Sequence, residues 1–160
     1  MTPLSISIIL LAIFTVFYTL DVAGSSDEVS ALLKWKGTLH SQNTNTVLPS
    51  WKNNFNLSFS AQKTVSPCNW YGVSCDETGS INRLNLSSSG LVLNGTLDHF
   101  SFSSFPNLAY FELTVNNFSG IIPSEIRHLS KLVYLDLSYN QFTGRIPPEI
   151  GELTKFPPFI

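Results

Sequence analysis

Two hydrophobic periodicities divide the chain. Between Val29 and Leu39 the apolar residues Val29, Leu32, Leu33 and Leu39 recur at helical intervals, and Ser25 and Glu28 ahead of them have the spacing of a capping box. An amphipathic helix is therefore predicted over 27–39. Beyond residue 80 the apolar positions alternate in short bursts, as Leu135 and Leu137 do around Asp136. Such bursts predict short strands that turn leucines inward and polar residues outward. The bursts repeat: residues 108–131 align with 132–155 without a gap at a period of 24, and twelve of the 24 positions are identical. Average residue usage gives roughly one or two matches. A looser unit precedes them, with Leu84, Leu86 and Ser89 standing 27 residues ahead of Phe111, Leu113 and Asn116. Its expected turn glycine is Gly95, its apolar return is Leu97, and residues 99–105 form a longer convex loop.

Each unit reads L-x-x-L-x-L-x-x-N-x-F-[ST]-G-x-I-P-x-E-I-x-x-L, with Phe111 replacing one Leu. That is the leucine-rich-repeat pattern. Asn116 and Asn140 end the strands, where an amide can bond the backbone of its own turn and of the adjacent coil, so a buried Asn ladder is expected. Gly120 and Gly144 let the chain turn, and Pro123 and Pro147 bar a regular helix from the return segment. The fold class is an α/β repeat: a leucine-rich-repeat solenoid with a short parallel β-sheet on its concave face, an irregular or 3₁₀ convex side and a helical N-terminal cap. Residues 25–79 form the capping domain, 80–155 about three repeats (80–107 divergent, 108–131 and 132–155), and 156–160 an unfinished end where Pro157 and Pro158 replace a strand. The cap must cover the apolar end of the first coil, for which Trp35, Trp51 and Trp70 are the large side chains available.

Composition changes this picture only at the edges. Charged residues make up 12% of the chain and the net charge is −2, which argues against a nucleic-acid partner. Ile6–Leu20 is a mostly apolar run followed by the small residues Ala23, Gly24, Ser25 and Ser26. Residues 1–24 therefore read as a signal peptide cleaved near Ser25, with an uncleaved anchor as the alternative because residues 1–5 lack Lys and Arg. Secretion makes a Cys68–Cys75 disulfide the expected state, a metal site being the weaker option since two sulfurs without a nearby His cannot complete a zinc shell. It also gives meaning to the N-glycosylation sequons at Asn56, Asn85, Asn94 and Asn117.

No nucleophile elbow, zinc-protease helix motif, P-loop or dinucleotide fingerprint occurs, and neither a cofactor nor a metal is expected. The most enzyme-like feature is Glu112 beside Asp136, at one repeat position on neighbouring strands about 4.8 Å apart. This spacing approaches that of a glycosidase pair, but a solvated acidic column is the expected state. The same geometry makes a binding strip. Tyr110 and Tyr134 lie side by side, next to Glu112 and Asp136, with Thr114, Ser138, Val115 and Tyr139 completing it and Arg83, Asn85, Ser87 and Ser88 extending it into the first unit. Tyrosine offers contact area at little rotamer entropy, which suits recognition. A glycan on Asn85 would block that end.

Three stretches, Ala31-Leu32-Leu33-Lys34-Trp35-Lys36, Leu48-Pro49-Ser50-Trp51 and Cys68-Asn69-Trp70-Tyr71-Gly72-Val73-Ser74-Cys75, resemble in order and spacing the N-terminal capping domain of plant leucine-rich-repeat receptor kinases and receptor-like proteins. Phe142-Thr143-Gly144-Arg145-Ile146-Pro147 is similar to that family's repeat subclass, and the resemblance covers residues 27–155. It implies an extracellular recognition module, at the plasma membrane's outer face or secreted, that binds a peptide or a co-receptor and has no catalytic part. A truncated form or fragment of a receptor is expected. The alternatives are a secreted inhibitor of cell-wall-degrading enzymes, similar to polygalacturonase inhibitors, and a truncated product without function.

Overall fold

The computed structural model describes residues 25–41, 44, 46–52, 66–88 and 90–153; the expected signal peptide, Asn56 and the segment 156–160 lie outside them. Helix α1 spans Ser25–Lys36, with Asp27 and Glu28 in its first turn and Lys34 and Lys36 in its last, matching the helix dipole at both ends. It stops short of Leu39. Gly37 is a poor helix residue, and the Thr38 hydroxyl donates to the Trp35 carbonyl at 2.7 Å, so a side chain competes for the acceptor of the last turn. Glu28, expected as the partner of Ser25 in a capping box, instead turns its carboxylate to Ser80 and Ile81, from which it accepts.

The repeats build two sheets. The concave one joins β2 (Val73–Cys75), β3 (Ile81–Asn85), β5 (Tyr110–Glu112) and β7 (Tyr134–Asp136) in that order. β2 and β3 are antiparallel, whereas β3, β5 and β7 run parallel. Leu84, Phe111 and Leu135 stand in one register, as the repeat alignment requires. The second sheet, which the alternation did not announce, joins β1 (His40–Ser41), β4 (Leu93–Gly95), β6 (Asn117–Gly120) and β8 (Gln141–Phe142). The convex returns are 3₁₀ turns at Phe102–Ser104, Ser124–His128 and Pro148–Glu152, the last two entered from Pro123 and Pro147.

Asn116 and Asn140 form the expected ladder, and each ties its coil to the one before. Asn116 Nδ2 donates to the carbonyls of Leu86 (2.8 Å) and Leu113 (3.0 Å), and its Oδ1 accepts from Leu93 N at 2.9 Å. Asn140 repeats this with Leu113, Leu137 and Phe118 N. Gly120, the last residue of β6, and Gly144, just past β8, both sit at φ +81°, a left-handed conformation that turns the chain out of the second sheet. Gly95 is not their counterpart: it lacks their positive φ and stands opposite Phe118, two places before Gly120 in the repeat. A Cβ on Gly95 would meet Leu39 Cδ2 at 2.6 Å. Where later coils insert a phenylalanine, the first is filled from the cap.

All three tryptophans are buried. Trp35 stacks on Phe118 at 5.8 Å, meets Phe100 edge-on at 5.0 Å and donates its indole N–H to the Thr96 carbonyl at 3.0 Å. Trp51 stacks on Trp70 at 5.6 Å and donates to the Tyr71 carbonyl. The Cys68–Cys75 disulfide, with Cα atoms 5.4 Å apart, fastens the 3₁₀ turn Pro67–Asn69 to β2.

Candidate recognition surface

The strip forms because β5 and β7 are in register, Tyr110 opposite Tyr134 and Glu112 opposite Asp136. Inward residues of these strands fill the core, so their alternates face outward. The two tyrosine rings lie 6.5 Å apart and tilted, and they remain 38% and 46% exposed. The hydroxyls of Thr114 and Ser138 bond each other at 2.9 Å. Val115 and Tyr139 follow, at φ +58° and +52°. The left-handed residue turns the chain towards the second sheet and leaves these side chains 52% and 81% exposed, so they end the strip as a projecting rim.

The acidic column is not evenly solvated. Arg83 reaches across from β3, its Nη2 2.7 Å and its Nε 2.9 Å from Glu112 Oε1. Asn85 Nδ2 donates to Glu112 Oε2 at 3.1 Å. Both carboxylate oxygens of Glu112 are thus occupied, and its side chain is only 13% exposed. The Arg83 guanidinium also lies 4.9 Å from the centre of the Tyr110 ring, holding that ring by a cation–π contact. Among the described residues Asp136 has no such cationic partner: its Oδ1 accepts from the backbone N–H of Ser138 at 3.0 Å and from its hydroxyl at 2.6 Å, closing an Asx turn. Glu112 is thus committed to Arg83 and Asn85, and Asp136 to its own turn.

The sequons fall on two different faces. Asn85 belongs to the strip, where its Oδ1 also accepts from Ser87 N at 3.0 Å. Asn94 and Asn117 stand on the second sheet in register, with Asn117 Nδ2 donating to Asn94 Oδ1 at 2.5 Å and Gln141 donating to Asn117 Oδ1. This amide row was not foreseen. Its signal lies in Asn117 and Gln141 sharing one repeat position, with the hydroxyl residues Ser119 and Thr143 two places later. Among the described residues no group of three metal-ligating side chains gathers, and no helix is long and apolar enough to cross a membrane.

These features define a leucine-rich-repeat solenoid closed at its N-terminal end by a disulfide-tied cap. Residues 25–76 match the family described as leucine rich repeat N-terminal domain, and residues 79–142 match leucine rich repeat. The chain is 41% identical over 130 residues to MDIS1-interacting receptor like kinase 2 of Arabidopsis thaliana, a match that covers 81% of this chain and 12% of that relative. The solved BIR3–SERK2 complex from Arabidopsis thaliana contains a chain that superposes at TM-score 0.64 with 32% identity, covering 81% of this chain and 64% of that one. The Arabidopsis receptor kinase HAESA ectodomain, solved with an IDA peptide hormone ligand, gives TM-score 0.58 and 28% identity over 78% of this chain and 18% of that one. The chain belongs to the plant leucine-rich-repeat receptor family. What it matches is the leucine-rich-repeat ectodomain region of such receptors, and it spans only about an eighth of the full-length relative named above.

Proposed function

We propose that this chain is a recognition segment of a receptor ectodomain, and that the strip Tyr110, Glu112, Thr114, Tyr134, Asp136, Ser138 and Tyr139 takes an extracellular peptide or the ectodomain of a co-receptor. One observation carries this reading: two exposed tyrosines in register beside a polar row already locked by its own contacts. Arg83 immobilises Tyr110 and Glu112 before any partner arrives, so little side-chain entropy is lost on binding. The solved neighbours support the class of partner, one being a complex with SERK2 and one with a peptide hormone. On the same reading residues 1–24 direct secretion, and glycans on Asn94 and Asn117 stand on the second sheet, off the strip.

The test is a binding titration of the secreted chain against a panel of co-receptor ectodomains, with SERK2 among the probes. Tyr134→Ala and Asp136→Ala should each weaken a bound partner about tenfold, as central aromatic and polar anchors do. Glu149→Ala on the convex 3₁₀ turn should leave affinity within about twofold. Equal losses at all three positions would remove the strip from the interface.

A further inference from the structure

The cap meets the solenoid through a buried carboxylate. Glu28 is 2% exposed, and its Oε1 accepts from the Ser80 hydroxyl at 2.7 Å and from the Ile81 amide at 3.0 Å, at the start of β3. Its Oε2 is also buried and has no hydrogen-bond partner among the described residues. Ionised, that oxygen would hold charge with no donor among the described residues to offset its lost hydration. The charged group facing Glu28 from the opposing turn is Asp76, which accepts from the Thr78 hydroxyl and from the amides of Thr78 and Ser80. Lys131 of a later coil acts on Asp76 in turn, and Asp27, exposed, precedes Glu28 on its own helix.

We propose that Glu28 is a proton-operated latch: a proton taken up on Oε2 in mild acid tightens the docking of α1 onto the first strand, and its loss towards neutrality loosens it. Burial is the main cause that raises the Glu28 carboxyl above its ordinary range; the bonds from Ser80 and Ile81 oppose it, and the Asp76 charge adds to it. The folded chain therefore holds this proton more tightly than the unfolded chain does. The resulting stability is complete below the ordinary carboxylate range and is lost as pH rises through the raised value. Asp76 works the other way. Held below its ordinary range first by the Thr78 hydroxyl, it stays ionised in mild acid, keeps the 76–80 turn closed and keeps its charge opposite Glu28. That turn is itself closed by backbone bonds, the Gly79 amide donating to the Asp76 carbonyl at 3.0 Å and the Asp76 amide to the Ser80 carbonyl at 2.9 Å. Acidification thus seats the helix that carries Trp35 and leads into Leu39, the two side chains that cover the first coil.

The test compares melting of the full secreted chain with that of Glu28→Gln from about pH 4.5 to 7.5. The amide keeps the accepting oxygen and carries its hydrogens at every pH. The two proteins should melt together at the acid end, and wild type should fall below the variant by about 3–6 °C near neutrality. A gap that stays constant across the series overturns the latch. Should Glu28→Gln fail to fold, the carboxyl-carbon resonance of Glu28 in the wild-type chain decides the matter instead, since a midpoint at or below the ordinary value sinks the proposal. Asp76→Asn should move that midpoint down, and an upward or absent shift counts against it.

Discussion

Phe118 and Phe142 occupy the same position in successive coils, ring over ring at 6.4 Å and almost parallel, yet Phe118 is fully buried and Phe142 only partly so. The same contrast runs through the two coils. Phe111, Leu113 and Ile126 are sealed in the core, while their counterparts Leu135, Leu137 and Ile150 are partly buried, and Ile146 is 75% exposed. Leu108 and Leu132 differ in no such way, both being fully buried. A repeat therefore carries half of its own core, and the other half comes from the coil that follows. The first coil faces the cap, which supplies Trp35 and Leu39 in place of a preceding repeat. Beyond the third coil no described element plays that part.

The comparison can be broken most forcefully at the stacked rings. Phe118→Ala should cost about 3–5 kcal/mol in denaturant unfolding, and Phe142→Ala roughly half of that, because its cavity opens to water. Equal costs would mean that the third coil is as well covered as the second. The Asn ladder should show a smaller gap of the same sign. Asn116→Ala strands Leu93 N and Leu86 O in the interior and should cost about 2–3 kcal/mol, against about 1 kcal/mol at the more open Asn140. Paired thermal melts would show it, and a larger loss at Asn140 would reverse the argument. The smallest effect has the opposite direction. Val115 is β-branched and held at φ +58°, so Val115→Asn should gain about 0.5–1 kcal/mol by relieving strain. Tyr139→Asn, at φ +52° on an unbranched side chain, should gain less, and calorimetry that finds no gain at Val115 would show that the turn is not strained.

Much of the fold and of the strip was legible in the residue pattern. The period of 24 set the register of β5 and β7, and hence the pairing of Tyr110 with Tyr134 and of Glu112 with Asp136. The Asn ladder, the 3₁₀ returns and the buried tryptophans follow from residue type and spacing. Three things were hidden. Arg83 stands 29 residues from Glu112, in a unit of irregular length, so its pairing shows only once the first coil is laid against the second. Gly95 reads as a turn residue because nothing local reveals that Leu39 occupies its side-chain space. Glu28 reads as a capping residue because its spacing from Ser25 is right, whereas its partners Ser80 and Ile81 lie more than 50 residues away.

By itself the sequence determined whatever depends on a residue and its near neighbours: the inward leucines, the glycine turns, the proline-led returns and the helix with its charged ends. Repetition extended that reach, because equivalent positions in adjacent coils become neighbours in space. The tertiary structure alone decided what depends on meetings between non-equivalent segments, namely the Arg83–Glu112 pair that turns an acidic column into a locked surface, the cap's side chains filling the first coil, and the burial of Glu28. The physical reason is that electrostatics and packing act over a few ångströms of space, however many residues of chain lie between the groups.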